Sequence, residues 1–262
     1  MIQEKFTDLF LPYPGHGDRH VRVYVPEHEE NETLPVIYMT DGQNLFDEKL
    51  AVWGCWHVPE TVRAELGNSG KKAVIAGIFN DSNLRDSELT PGSIGEIICP
   101  EKLPDLTTPQ GEIFDEFVVN TVMPAVEKQF PVSRKREDTA FCGSSSGGLQ
   151  AFFTALSHPD LFCAAGVLSP AFLLYSAGDM RKWIYSRLGE VLPYLYIYTG
   201  AGDELEMNIF ESVEQTYDIL TECYPFDKLN EVVLFEEKHH ESAWEPVFGD
   251  FLHTFLERRS EF

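Results

Sequence analysis

Three consecutive hydroxyls, Ser144, Ser145 and Ser146, lie between Gly143 and Gly147, with a further glycine at 148. Only Ser145 has a glycine two residues away on both sides. The preceding run, Asp138 to Cys142, reads as a short buried strand; the following one, Leu149 to Leu156, reads as a helix. A strand, a sharp G-x-S-x-G turn and a helix together describe a nucleophile elbow. In such a turn the serine backbone is strained and its hydroxyl is exposed, so the residues on either side must be small. The helix that follows aims its free N–H groups and the positive end of its dipole at the place where an oxyanion would develop.

A serine hydroxyl needs a base to take its proton, commonly a histidine held by a carboxylate. When the serine sits on such an elbow, the chain order expected is serine, then acid, then histidine. Downstream of Ser145 the histidines are His158, His239, His240 and His253. His158, just past the elbow helix, suits a cap or a surface position, and His253 falls within the C-terminal helix. His239 and His240 follow the last strand, on a loop from which a base could reach the elbow. For the acid, the strand Tyr194–Thr199 runs into Gly200-Ala201-Gly202-Asp203-Glu204. Asp203 is the first choice and Glu204 the alternative, with a plain helix cap as the competing use of Asp203. The oxyanion needs two backbone donors. Ser146, directly after the nucleophile, supplies one; Gln43, in the Asp41-Gly42-Gln43-Asn44 turn after strand Val36–Met39, supplies the other.

These residues need elements to hold them. Apolar runs at 20–25, 34–40, 73–79, 139–142, 164–168, 194–199 and 231–235 read as strands, most of them buried on both faces. Helical stretches fit near 59–66, 111–129, 147–157, 179–188, 204–223 and 244–258. This alternation predicts an α/β fold with a mostly parallel sheet and helices on both faces. Lys5–Pro12 adds an antiparallel edge strand to His20–Val25, giving eight strands, and all 262 residues read as a single catalytic domain. Asn80–Gln110 breaks the rhythm. Its length, its prolines and its exit from the carboxyl end of a central strand suit a wall or lid over the crevice.

Composition narrows the partners. Asp and Glu number 43 against 20 Lys and Arg, a formal charge of −23, which disfavours binding to nucleic acid or to an anionic membrane surface. The five cysteines are scattered without a C-x-x-C pair, so neither a zinc site nor a disulfide framework is predicted. The first residues lack the basic-then-apolar pattern of a secretory signal, and no run has the length of a membrane span. A reduced, cytoplasmic setting is the expectation, and a homo-oligomer is left open.

Several segments then share one resemblance: Tyr38–Phe46, Arg85–Pro91, Gly143–Leu149, His158–Phe162, Ser169-Pro170 and His239–Trp244. Spanning the chain in order, they resemble the esterase family of α/β-hydrolases that includes enterochelin esterases, feruloyl esterase domains and esterase D-like enzymes. The resemblance implies the α/β-hydrolase fold and a serine carboxylesterase that uses no metal and no organic cofactor. The H-x-E-x-x-W pattern assigns the base to His239 rather than His240, with Ser145 the nucleophile and Asp203 the acid. It also places Trp53, Trp56, Arg85 and Glu88 where they would shape the pocket mouth or brace its loop. The implied partner is a small-molecule or oligosaccharide ester, with a carbohydrate-linked acyl group in view. An acyltransferase on the same scaffold and a non-catalytic binding protein are the alternatives.

Overall fold

The computed structural model of the protein describes residues 1–99, 106 and 108–262. In chain order its elements are β1 (Lys5–Pro12), β2 (Asp18–Val25), β3 (Val36–Met39), α1 (Val58–Ser69), β4 (Val74–Ile78), α2 (Arg85–Glu88), α3 (Gly111–Phe117) and α4 (Met123–Gln129). There follow β5 (Thr139–Ser144), α5 (Ser146–Ser157), β6 (Ala164–Leu168), α6 (Ala177–Arg187), β7 (Tyr194–Gly200), α7 (Glu204–Cys223), β8 (Leu229–Leu234) and α8 (Glu241–Arg258). The eight strands make one sheet in the order β1-β2-β4-β3-β5-β6-β7-β8. The pairs β1/β2 and β2/β4 are antiparallel and every other pair is parallel. This is the mostly parallel α/β-hydrolase sheet that the strand pattern and the resemblance predict.

Burial explains the arrangement. Strands β3 to β7 are buried at every residue, because helices cover both faces. Val58 and Val62 of α1 pack with Phe248, Phe251 and Phe255 of α8 on one face. Helices α3 to α7 cover the other through residues such as Phe114, Val126, Phe152, Trp183 and Val213. Edge strand β1 instead leaves Phe6 and Phe10 exposed. Cys142 and Cys163 are core residues, and burial pushes the Cys163 thiol up to about 12, so both act as packing groups.

Two stretches depart from the simplest reading. The helix expected over 111–129 is interrupted by a wide π-type turn at Val118–Val122. Pro124 lacks the N–H that would bond back into this turn, so the widened loop absorbs the missing bond. The 80–110 segment contributes α2, and its described part is pinned to the body. The Tyr175 hydroxyl donates to the Pro91 carbonyl at 2.6 Å, and the Ile98 N–H to the Leu174 carbonyl at 2.9 Å. Residues 100–105 and 107 of that segment lie outside the described residues. Because β3 to β8 run parallel, the loops after β3, β5, β6, β7 and β8 all emerge at one edge of the sheet.

Candidate active site

The turn between β5 and α5 has the strained geometry that its residue types imply. Ser145 sits at φ 59°, ψ −124°, outside the regions that L-residues prefer. Its N–H donates to the Leu168 carbonyl at 2.9 Å, while its own carbonyl accepts from Leu149 at 3.0 Å and Ala171 at 3.1 Å. A Cβ on Gly143 would fall 2.5 Å from Thr40 Oγ1, and one on Gly147 would collide with the same oxygen. Glycine is required at both places because β3 and the helix start approach so closely.

His239 reaches this turn from the loop between β8 and α8. Its Nε2 lies 3.0 Å from Ser145 Oγ and its Nδ1 lies 2.5 Å from Glu206 Oε2. A carboxylate only accepts, so Nδ1 carries the proton and the Nε2 lone pair faces the serine hydroxyl. The ring is also held by Trp244, edge to face, with centroids 4.9 Å apart and planes at 88°. Glu206 is fully buried. Its Oε1 accepts from the Gly200 N–H at 2.8 Å and from the Ser169 hydroxyl at 2.5 Å, which in turn accepts from Trp244 Nε1 at 2.9 Å. Both oxygens of the carboxylate are thus aimed before a substrate arrives. The arrangement can take a proton from Ser145 and stabilise the imidazolium that results.

The carboxylate at the imidazole is therefore Glu206, and neither Asp203 nor Glu204 occupies that place. Asp203 is the N-cap of α7: its Oδ1 accepts from the Glu206 N–H at 2.8 Å and its Oδ2 from the His239 backbone N–H at 3.1 Å. Burial opposes its charge, but these N–H groups hold the carboxyl below its ordinary pKa. Glu204, at the first helical position, is exposed. The reason is helix geometry: a cap side chain is committed to the third N–H, and the third residue's own side chain turns back toward the helix start. A signal for this is present in the sequence. Asp203-x-x-Glu206 has the spacing of a capping box, and Glu206 heads the buried stripe Ile209, Val213, Thr216 and Leu220. Gly200 and Gly202 complete the approach, since a Cβ on either would run into the backbone carbonyls of Glu237 or Glu236 beside His239. The neighbouring histidine serves the helix instead, because His240 caps α8 by accepting from the Ser242 N–H at 3.1 Å.

The two expected oxyanion donors stand on separate elements. Ser146 opens α5 and is fully buried, so its N–H belongs to the first turn, which has no intrahelical acceptors. Gln43 lies in the short 3-10 helix Gly42–Asn44, entered through Asp41 in the left-handed region at φ 56°. Gly42 permits that entry, because a Cβ there would lie 2.7 Å from the Gly77 carbonyl.

Gln43, Asn44, Ser145, His239, Arg85, Trp53, Trp56 and Trp244 all line one cavity of about 390 Å³. Trp53 is 74% exposed at its mouth, and Trp56 is buried against Trp244 and Phe248. Asn80, Ser82 and Arg85 bring the 80–110 segment into the wall. Arg85 works mainly as a clamp: Nε and Nη2 bond Asp41 at 2.6 and 2.9 Å, and Nη2 also reaches the Ser144 carbonyl at 3.3 Å. It ties the Gln43 turn to the elbow. Glu88 is not in the cavity. Fully buried, it pairs with Arg19 at 2.8 and 2.5 Å and accepts from the Asp81 N–H at 3.4 Å, bracing the base of the loop. Glu241, two residues after His239, does line the cavity and accepts from Asn44 Nδ2 at 3.1 Å. Burial, with the charge of Asp41 adding to it, pushes the Glu241 carboxyl above its ordinary pKa.

The model of the family described as "Putative esterase" matches residues 15–183 of the chain. The chain belongs to this esterase family. By class it is a carboxylic-ester hydrolase. The matched stretch carries Gln43, Arg85 and Ser145 and ends before Glu206 and His239. Among curated relatives, the siderophore triacetylfusarinine C esterase of Aspergillus fumigatus is 30% identical over 168 residues, covering 58% of this chain and 50% of that protein. The chain thus aligns with half the length of that relative. Among solved structures, siderophore hydrolase EstA from Aspergillus nidulans superposes with TM-score 0.74 at 20% identity, over 96% of this chain and 94% of that one. A ferulic acid esterase superposes at 0.65 and 14% identity, over 98% and 99% of the two chains. At such identities these structures share the α/β-hydrolase fold with this esterase. Among the described residues no helix is long and apolar enough to cross a membrane.

Proposed function

We propose that this esterase hydrolyses its substrate through an acyl-enzyme on Ser145, with His239 as base and Glu206 as the acid that orients it. The observation that carries the reading is the continuous line from Ser145 Oγ through His239 to a fully buried Glu206, set against a strained elbow. As Ser145 Oγ attacks the ester carbonyl, His239 Nε2 takes its proton. The carbonyl oxygen becomes an anion held by the Ser146 and Gln43 N–H groups. Collapse breaks the bond to the alcohol oxygen, which leaves with the proton from His239. Water then attacks the acyl carbonyl, gives its proton to His239, and frees the acid and Ser145. Nothing in these steps calls on a metal or an organic cofactor.

The relatives named for siderophore and ferulic acid esterase activity support a bulky acyl group, as do Trp53 and Trp56 at the cavity. The test is hydrolysis of p-nitrophenyl acetate through octanoate by the wild type and Ser145→Ala. Turnover in the variant should fall by more than about 10⁴-fold with the fold intact. Esterase activity retained by a folded Ser145→Ala protein would remove the assignment.

A further inference from the structure

The charges around the catalytic cavity are not balanced. Among the described residues Arg85 is the one Lys or Arg that lines it. Its guanidinium is already engaged by both oxygens of Asp41, by the Ser144 carbonyl and, at 3.5 Å, by Asp86. Asp41 and Asp86 both share Arg85, and among the described residues Glu241 makes no ion pair of its own. Its Oε1 is bonded to a neutral amide, Asn44 Nδ2, and the residue is only 5% exposed. Gly54 packs against it, with the position of a Cβ there 3.1 Å from Glu241 Cβ, so the side chain has little room to swing away. The approaches are rich in acids. Glu236, Glu237 and Asp203 outnumber Lys238 in a groove on the other side of His239, and Asp18 and Asp81 line a hollow that shares Asn80 and Ser82 with the catalytic cavity and whose Arg19 is paired with Glu88.

Among the described residues, an anionic acyl group entering this cavity would find no unpaired Lys or Arg to receive it and a fixed carboxylate to repel it. In a partly desolvated cleft that repulsion is screened far less than at the surface. We infer that the substrate is an ester whose acyl part is uncharged or cationic, and that Glu241 is the residue that excludes anionic esters. This rests on the Ser145 esterase reading and adds the charge class of what is cut.

The experiment compares three p-nitrophenyl esters of similar length at pH 8 and low salt. They are the neutral hexanoate, the anionic mono-adipate and the cationic 6-(trimethylammonio)hexanoate. For the wild type, kcat/KM should be at least as high for the cation as for the neutral ester, and about tenfold lower for the anion, equivalent to about 1.4 kcal/mol. Salt at about 0.5 M should shrink the gap, and Glu241→Gln should bring the neutral and anionic esters within about threefold. Wild-type rates for the adipate within about twofold of the hexanoate would overturn the inference. So would a Glu241→Gln protein that keeps the full gap. A hexanoate that fails to turn over at all would count against the esterase reading instead. The charge order is then read from calorimetric binding of the three matching anilides, where equal affinities for neutral and anionic ligands would overturn it.

Discussion

Replacing Glu206 with glutamine separates the two carboxylates at the start of α7. Glu206 Oε1 accepts from Gly200 N–H and Ser169 O–H, whereas Oε2 faces His239 Nδ1. The amide of a glutamine would turn its oxygen toward the two donors, since its NH₂ cannot accept from them. The NH₂ would then face His239 Nδ1, which must become the acceptor, and the ring proton moves to Nε2. An imidazole protonated at Nε2 cannot take the Ser145 proton. The variant also loses the negative charge that stabilises the imidazolium, a charge-assisted bond worth about 1.5–3 kcal/mol. Wrong tautomer and lost charge together are expected to lower kcat by about 10³–10⁴, or roughly 4–5.5 kcal/mol, with KM nearly unchanged. Steady-state hydrolysis of p-nitrophenyl butyrate, with circular dichroism to confirm folding, measures this. Asp203→Asn, which keeps an acceptor for the helix N–H, should cost less than about tenfold. The reasoning fails if Glu206→Gln stays within that factor of wild type while Asp203→Asn loses the larger one.

Two further outcomes follow from the ion pairs and caps. Glu88→Gln leaves Arg19, itself 7% exposed, without its counter-charge; removing one partner of such a buried pair costs about 3–5 kcal/mol, to be read by urea unfolding, while kcat should hold within a fewfold because Glu88 does not line the cavity. The depressed folded-state pKa of Asp203 means that its contribution to stability is full above the unfolded value near 3.8 and is lost as pH falls through the folded value. Wild-type melting temperature should therefore drop more steeply with acidification below about pH 4 than that of Asp203→Asn, in which the group no longer titrates; parallel curves would contradict this.

The elbow was legible because its chemistry is local. A strained serine needs Gly143 and Gly147 close by on either side, and the strand and helix that flank it announce themselves by apolar pattern. The same holds for β1 with β2, joined by a turn at Gly15, and for the alternation that yields a parallel sheet. His239 could be singled out beside His240 only through a resemblance, since both stand on the same loop. Asp203 and Glu206 show the limit. From residue types, a carboxylate just past a glycine-rich strand end is well placed for the acid. Which carboxylate turns inward depends on where α7 starts and which of its faces is buried. Glu88 shows it again, for a charged residue in a site-like segment can serve equally as half of a structural pair with Arg19.

Residue types and their spacing were enough for the class of chemistry and the frame: a serine on a strand–turn–helix elbow, an α/β sheet whose parallel strands send their loops to one edge, and a strongly acidic chain. The partners emerge only in three dimensions. Glu206 meets His239 across 33 residues, Asn44 meets Glu241 across 197, and Arg85 bridges Asp41 and Ser144. Those contacts depend on the direction in which each side chain leaves its element and on what remains to pair with it once water is excluded. Neither is a property of a residue's neighbours in the chain, and so both are fixed only when β3, β5, β7 and β8 are assembled in one sheet.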